Sequence, residues 1–196
     1  MPARELTILI VDENRLRASI IEEGLREAGH TQVHVEHSVN EVARKIASIA
    51  PDVVVIDLEN PGRDRLEHFF SLSRALGKPV AMFVDRADSA EIEAAVEAGV
   101  SAYVVDGLRK ERVKPILDMA ISRFNAFSRL TRELDDARSA LEERKLIDRA
   151  KAILIKSRGL SEADAYALMR KTAMNQNRRM VDIAQSLITA AGLLGD

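Results

Sequence analysis

The chain has 196 residues, 46% hydrophobic and 31% charged with a net charge of −2, which fits a core-forming chain of one large domain or of one ordinary domain plus a small one. It has no cysteine, which excludes a disulfide framework, a thiolate zinc site and a cysteine nucleophile and fits a reducing cytoplasm. No secretory signal pattern opens the chain and no apolar run approaches the roughly 18 residues that cross a bilayer, so a cytoplasmic location is expected.

Along the chain, residues 6–11 form an apolar, β-branched run that predicts a strand. Residues 16–28 have helical spacing, with Leu16, Ile20, Ile21, Gly24, Leu25 and Ala28 on one face and Gly29 as the stop. A short strand is expected at 33–35 and a helix at 39–49, ended by Pro51. The continuous apolar run 53–58 fits a strand buried on both faces of a parallel sheet. A helix at 66–76, a strand at 79–84, a helix at 90–98 and a strand at 102–105 complete the pattern. Five strands alternating with helices predict a doubly wound α/β fold with a five-stranded parallel sheet.

After residue 106 the strand signals stop. A helix opens at 113–127, and residues 117–155 contain neither Gly nor Pro, so one long helix is the economical reading. Its apolar positions Phe127, Leu130, Leu134, Ala137 and Leu141 are spaced 3, 4, 3 and 4, a heptad seam that predicts a coiled-coil linker and a homodimer. Arg158-Gly159-Leu160 breaks that helix. Ser161 is placed to cap the next one, with Asp164 three residues on as a variant capping box. A turn at 175–179 leads to a last helix at 181–191. The whole reads as an all-α three-helix output domain behind the α/β front.

Charge is uneven along the chain. Residues 1–125 hold 16 Lys and Arg against 21 Asp and Glu, a net of −5, whereas residues 135–196 hold 11 against 9, a net of +2. A weakly basic tail permits contact with nucleic-acid phosphates.

Three carboxylates stand at the ends of strand-like runs: Asp12 and Glu13 after the first, Asp57 in the third. Functional groups collect at the carboxyl ends of parallel strands, so these acids are expected to converge. Such a cluster repels itself and suits a hard divalent cation, Mg²⁺ above all. Beside that ion a carboxylate can accept a phosphoryl group.

The segments Ile8-Leu9-Ile10-Val11-Asp12-Glu13-Asn14, Asp52-Val53-Val54-Val55-Ile56-Asp57-Leu58, Lys78-Pro79-Val80 and Ala98-Gly99-Val100-Ser101-Ala102-Tyr103 resemble the receiver domain of bacterial response regulators. The resemblance covers about residues 1–125. It implies that Asp57 is the phosphoacceptor position, that Asp12 and Glu13 bind Mg²⁺ with it, and that Tyr103 is the rotating aromatic of the last strand. Two positions depart from the family. Val84 stands where receivers have Thr or Ser, and Asp106 stands where they have Lys. One change removes a hydroxyl and the other replaces an ammonium with a like charge, and both disfavour the phosphorylated state. A sensor protein partner is therefore expected as the input ahead of phosphorylation.

In the tail, residues 141–154, then Gly159-Leu160-Ser161-Glu162, Ala165-Tyr166-Ala167-Leu168-Met169-Arg170, Ala173-Met174 and residues 177–184 resemble the ANTAR domain of the AmiR and NasT transcription antitermination regulators, over about residues 135–194. The resemblance implies binding to hairpins in a leader transcript. It also implies nitrate or nitrite assimilation as the regulated pathway. Candidate RNA contacts are Arg144, Lys145, Arg149, Lys151, Lys156 and Arg158 on the long helix, Tyr166 and Arg170 on the next, and Arg178 and Arg179 in the turn. Tyr166, the tail's one aromatic, is a candidate for base stacking. Lys151 and Arg179 lead the list because both lie inside matched segments.

The expected domains are a receiver-like unit at 1–122, a helical coiled-coil linker at 123–140 and an ANTAR unit at 141–196. Two other readings are a DNA-binding response regulator and an interaction protein that only dimerises. An enzyme is not expected. There is no Ser-His-Asp spacing and no Gly-rich phosphate loop, and His30, His34, His37 and His68 are scattered.

Overall fold

The apolar runs of the front half are strands: β1 (Ile8–Val11), β2 (Val33–Glu36), β3 (Val53–Leu58), β4 (Val80–Val84) and β5 (Ala102–Val105). They pair in parallel in the order β2-β1-β3-β4-β5. Between them lie α1 (Arg15–Glu27), α2 (Val42–Ile49), α3 (Arg63–Leu76) and α4 (Ser89–Glu97). α5 (Lys110–Arg158), α6 (Glu162–Gln176) and α7 (Met180–Leu194) follow. This computed structural model describes residues 5–59, 61–106 and 108–194. It falls into two compact units, 1–128 and 129–196.

In the first unit the strands are apolar on both faces because helices cover both. Ile8, Ile10, Val53 and Val55 pack with Ala18, Ile21 and Leu25 of α1 and Val113 and Leu117 of α5. Leu9, Val11, Val54 and Ile56 pack on the other face with Val42, Leu66, Phe69 and Ala95. Each large side chain so buried stabilises the fold by about 1.5–3 kcal/mol. Gly24 is required by close approach. A Cβ there would stand 2.9 Å from the Lys110 carbonyl oxygen. The Lys110 ammonium closes the same contact on Glu23 at 2.8 Å and Glu27 at 2.6 Å.

Two element ends differ from the sequence reading. The expected helix at 39–49 is a 3-10 turn over Val39–Glu41 followed by α2. α3 begins at Arg63 rather than at residue 66, because its first turn, Arg63-Asp64-Arg65, is polar and carries no apolar signal.

The second unit is built on a small core: Ala150 and Leu154 of α5, Ala165 and Met169 of α6, and Ala184 of α7. Gly159, at φ +64°, ends α5 in the left-handed conformation that favours glycine. Ser161 caps α6 as expected, its Oγ accepting from the Asp164 amide at 3.1 Å.

Candidate functional site

The acidic pocket is set by strand register. Val11 lies opposite Ile56, so Asp12, one step beyond β1, stands beside Asp57 near the end of β3. β1 has β2 on one side and β3 on the other, which makes this the switch point of the sheet, where a crevice opens. A cleft of about 540 Å³ lies there, lined by Asp12, Glu13, Asn14, Asp57, Glu59 and Arg65.

Asp57 is 2% exposed. Both of its oxygens are taken by one side chain. Arg17 donates from Nε to Oδ2 at 2.5 Å and from Nη2 to Oδ1 at 2.8 Å. Its third arm, Nη1, donates to Asp85 Oδ1 at 2.8 Å, just past β4. The fork geometry matches a carboxylate two-to-two. These contacts push the guanidinium further above its ordinary range, Asp57 contributing most. Asn14 places Arg17. Its Oδ1 caps α1, accepting from the Leu16 amide at 3.0 Å and the Arg17 amide at 3.4 Å.

Asp12 is held differently. Oδ1 accepts from the Asn14 amide at 2.8 Å, while Oδ2 is buried without a hydrogen-bond partner. Burial pushes the Asp12 carboxyl up to about 7, with the Asp57 charge adding to the rise. The His37 ring, Nδ1 at 2.6 Å from the Asp12 carbonyl oxygen, braces the turn. Glu13 pairs with Arg65.

The expected Mg²⁺ set does not fit this arrangement. A hard cation needs several free carboxylate oxygens converging on one point. Asp57 has both oxygens on Arg17 and Glu13 has one on Arg65, which leaves the buried Asp12 Oδ2 and the second, solvent-facing Glu13 oxygen. Among the described residues no group of three or more His and acidic side chains is arranged to hold a metal ion.

The other receiver positions are where the sheet puts them. Val84 is buried at the end of β4 and offers no donor. Asp106 is exposed just past β5 at φ +47°. Tyr103 packs on Phe70, ring centroids 6.4 Å apart, with its hydroxyl buried and unpartnered. Burial first, then Glu91 and Asp88, push that hydroxyl up to about 12.

The basic residues of the second unit fall into two groups. In the first, charge is spent within the protein. Lys151, 14% exposed, lies between Asp148 and Glu162, each at 2.7 Å, and ties α5 to the start of α6. Lys145 pairs with Glu142 at 2.7 Å and Arg179 with Glu143 at 3.1 Å. Arg178 donates to the Asp182 carbonyl at 3.4 Å and Ser186 Oγ at 3.3 Å. Arg144 reaches Asp148 only at 3.9 Å. In the second group, Arg149, Arg158, Arg170 and Lys171 are exposed, and no ion pair joins any of them to the described residues. Arg149 and Lys156 border a groove floored by Ile153, Ile188 and Ala191. Tyr166, 46% exposed, sits one turn before Arg170 on α6. The two residues that led the sequence list, Lys151 and Arg179, are thus both ion-paired.

Sequence reasoning missed Arg17 and Asp85. Arg17 lies on the polar side of an amphipathic helix, where a solvated charge is the default. The available signal was a surplus of strand-end acids, Asp12, Asp57 and Asp85, with an arginine five residues past the first.

Known proteins match both units. The family model for the response regulator receiver domain matches residues 8–118, and that for the ANTAR domain matches residues 135–188. The transcriptional regulatory protein PdtaR of Mycobacterium tuberculosis is 27% identical over 185 residues, 94% of this chain and 90% of that protein. The nitrate regulatory protein of Klebsiella oxytoca is 39% identical over 80 residues, 41% of this chain and 20% of that protein. Among solved structures, the signal receiver domain of a modulated diguanylate cyclase from Desulfovibrio desulfuricans matches with a TM-score of 0.51 at 21% identity, covering 61% of this chain and 95% of that one. That likeness bears on the fold alone. The receiver match spans more than half of the chain and the ANTAR match follows it, so this chain belongs to the response regulators, as a regulator of the ANTAR type.

Proposed function

We propose that the chain is a transcription antitermination regulator that binds hairpins in a leader mRNA through its C-terminal helices. The observation that carries this reading is the set of outward cations Arg149, Arg158, Arg170 and Lys171, with Tyr166 exposed beside Arg170. Cations left in solvent can displace counterions from RNA phosphates, and an exposed aromatic can stack on an unpaired loop base. Lys156, at the Arg149 groove, and Arg144, held only loosely by Asp148, belong to the same candidate face. Lys145, Arg178 and Arg179 would have to trade an internal partner for a phosphate. Lys151 serves as a strut.

The receiver controls this output through a sensor protein, and both act in the cytoplasm. No helix among the described residues is long and apolar enough to cross a membrane. The active form is a homodimer paired along α5, where Leu130, Leu134 and Leu141 are 59%, 50% and 54% exposed at heptad positions. Two tails on one transcript with two hairpins raise the effective concentration of the second contact. The likeness to the nitrate regulatory protein of Klebsiella oxytoca supports nitrate assimilation as the pathway. Mg²⁺ at Asp12, Glu13 and Asp57 would require Arg17 and Arg65 to leave first.

Sequencing of RNA crosslinked to the protein in cells tests the reading. Enrichment of leader transcripts with paired hairpins is expected. Enrichment of no transcript, or recovery of DNA in its place, would overturn it and favour the dimerisation-only or DNA-binding alternative.

A further inference from the structure

We propose that Arg17 is the resident counter-ion of the receiver pocket, and that by holding both oxygens of Asp57 it closes this aspartate to Mg²⁺ and to phosphoryl transfer. The inference rests on the receiver assignment of residues 8–118 and not on the RNA reading of the tail.

The argument begins with valence. An aspartate that becomes phosphorylated uses one carboxylate oxygen to attack phosphorus and offers the other to a cation that draws charge off the transferring group. Here both oxygens already accept from one guanidinium. Nε and Nη2 of Arg17 point at Oδ2 and Oδ1 at 2.5 and 2.8 Å, so an incoming phosphorus would have to displace a charge-assisted, two-point contact.

Arg17 is also fixed from three sides. Asn14 caps the helix turn that carries it. Ala18, Ile21 and Leu25 of the same helix are buried in the core. Asp85 holds the remaining arm at 2.8 Å. Releasing the guanidinium therefore means breaking contacts to two carboxylates at once.

The rest of the pocket agrees. Val84 has no hydroxyl and Asp106 no ammonium to receive a phosphoryl oxygen. Asp12 stands beside Asp57, and Asp57 and Asp85 both reach Arg17, so this group of carboxylates needs a positive charge to offset it. Arg17 does this from within the chain. The pocket is then a structural ion cluster joining α1, β3 and the end of β4.

The test uses the full chain with acetyl phosphate and Mg²⁺, read by intact mass, and Mg²⁺ alone, read by calorimetry. In the transfer, the Asp57 Oδ–P bond forms while the P–O bond to acetate breaks and acetate leaves with the electron pair. The wild type is expected to show no Asp57-dependent adduct and no saturable Mg²⁺ binding at millimolar concentration. Arg17→Ala and Arg17→Gln are expected to bind Mg²⁺ saturably in that range, the oxygens being freed. They should also acquire an adduct that Asp57→Asn abolishes in the double variant. An adduct on the wild type would overturn the proposal. So would an Arg17 variant that folds and gains neither property, since Arg17 would not then be the barrier. Because these variants leave Asp57 without its partner, unfolding is followed with and without Mg²⁺. Rescue of folding by Mg²⁺ supports the proposal, and equal loss of structure in both conditions counts against it.

Discussion

Arg17 in the receiver and Arg170 in the ANTAR domain are both helix-borne arginines, and the two units treat them in opposite ways. Arg17 is turned inward and all three of its arms are spent on Asp57 and Asp85. Arg170 is exposed on α6 beside an exposed tyrosine. The front unit uses its cation to neutralise its own acids, and the tail leaves cations over for something else. A charge count alone does not separate these cases. What separates them is whether the fold brings carboxylates within reach, and the parallel sheet does so by gathering strand ends.

The comparison is broken most directly at Arg17. Arg17→Ala should lower the unfolding free energy of the receiver by about 3 kcal/mol, because it strands a buried carboxylate. Urea denaturation of the full chain followed by circular dichroism measures this. A loss near that of an ordinary surface arginine would mean that the ion cluster contributes little.

Next in size is the tail. Reversing Arg149 and Arg170 together to Glu should weaken hairpin RNA binding about 100-fold at low salt and flatten its salt dependence, with the helical content unchanged. Filter binding across a salt series reads both. Tyr166→Ala should cost about tenfold in the same assay if a base stacks there. An unchanged affinity would return Tyr166 to a packing role.

The smallest effect is expected at Lys151, which in its pairing resembles Arg17 more than its neighbours in the tail. Lys151→Gln should change hairpin affinity by no more than about twofold, since its ammonium is already held by Asp148 and Glu162. A large loss would place Lys151 at the RNA and move the boundary between the two kinds of cation.

The fold was legible where residue periodicity carries it. Residues 53–58 and 102–105 are strands as read, because an apolar run between turn signals has few alternatives in a buried parallel sheet. The cap at Ser161 was equally local, requiring only a hydroxyl and a backbone amide three residues on. The acids Asp12 and Asp57 could be expected to meet, since both end central strands. Their occupant could not. Arg17 reaches Asp57 across 40 positions of sequence and Asp85 across 68, and no spacing rule links α1 to the ends of β3 and β4. The same limit hid the partners of Lys151. Its ion pair with Glu162, eleven residues on, is not announced by the motif in which the lysine stands.

The central claim is that the outward cations of the tail serve RNA. It is tested most directly by titrating the full chain against a twin-hairpin leader RNA and a duplex DNA of equal length, in the same salt series. The account predicts RNA binding tighter by at least about tenfold, with a salt slope that falls when Arg149 and Arg170 are reversed. Equal affinity for both nucleic acids, or a slope indifferent to those two arginines, would contradict it.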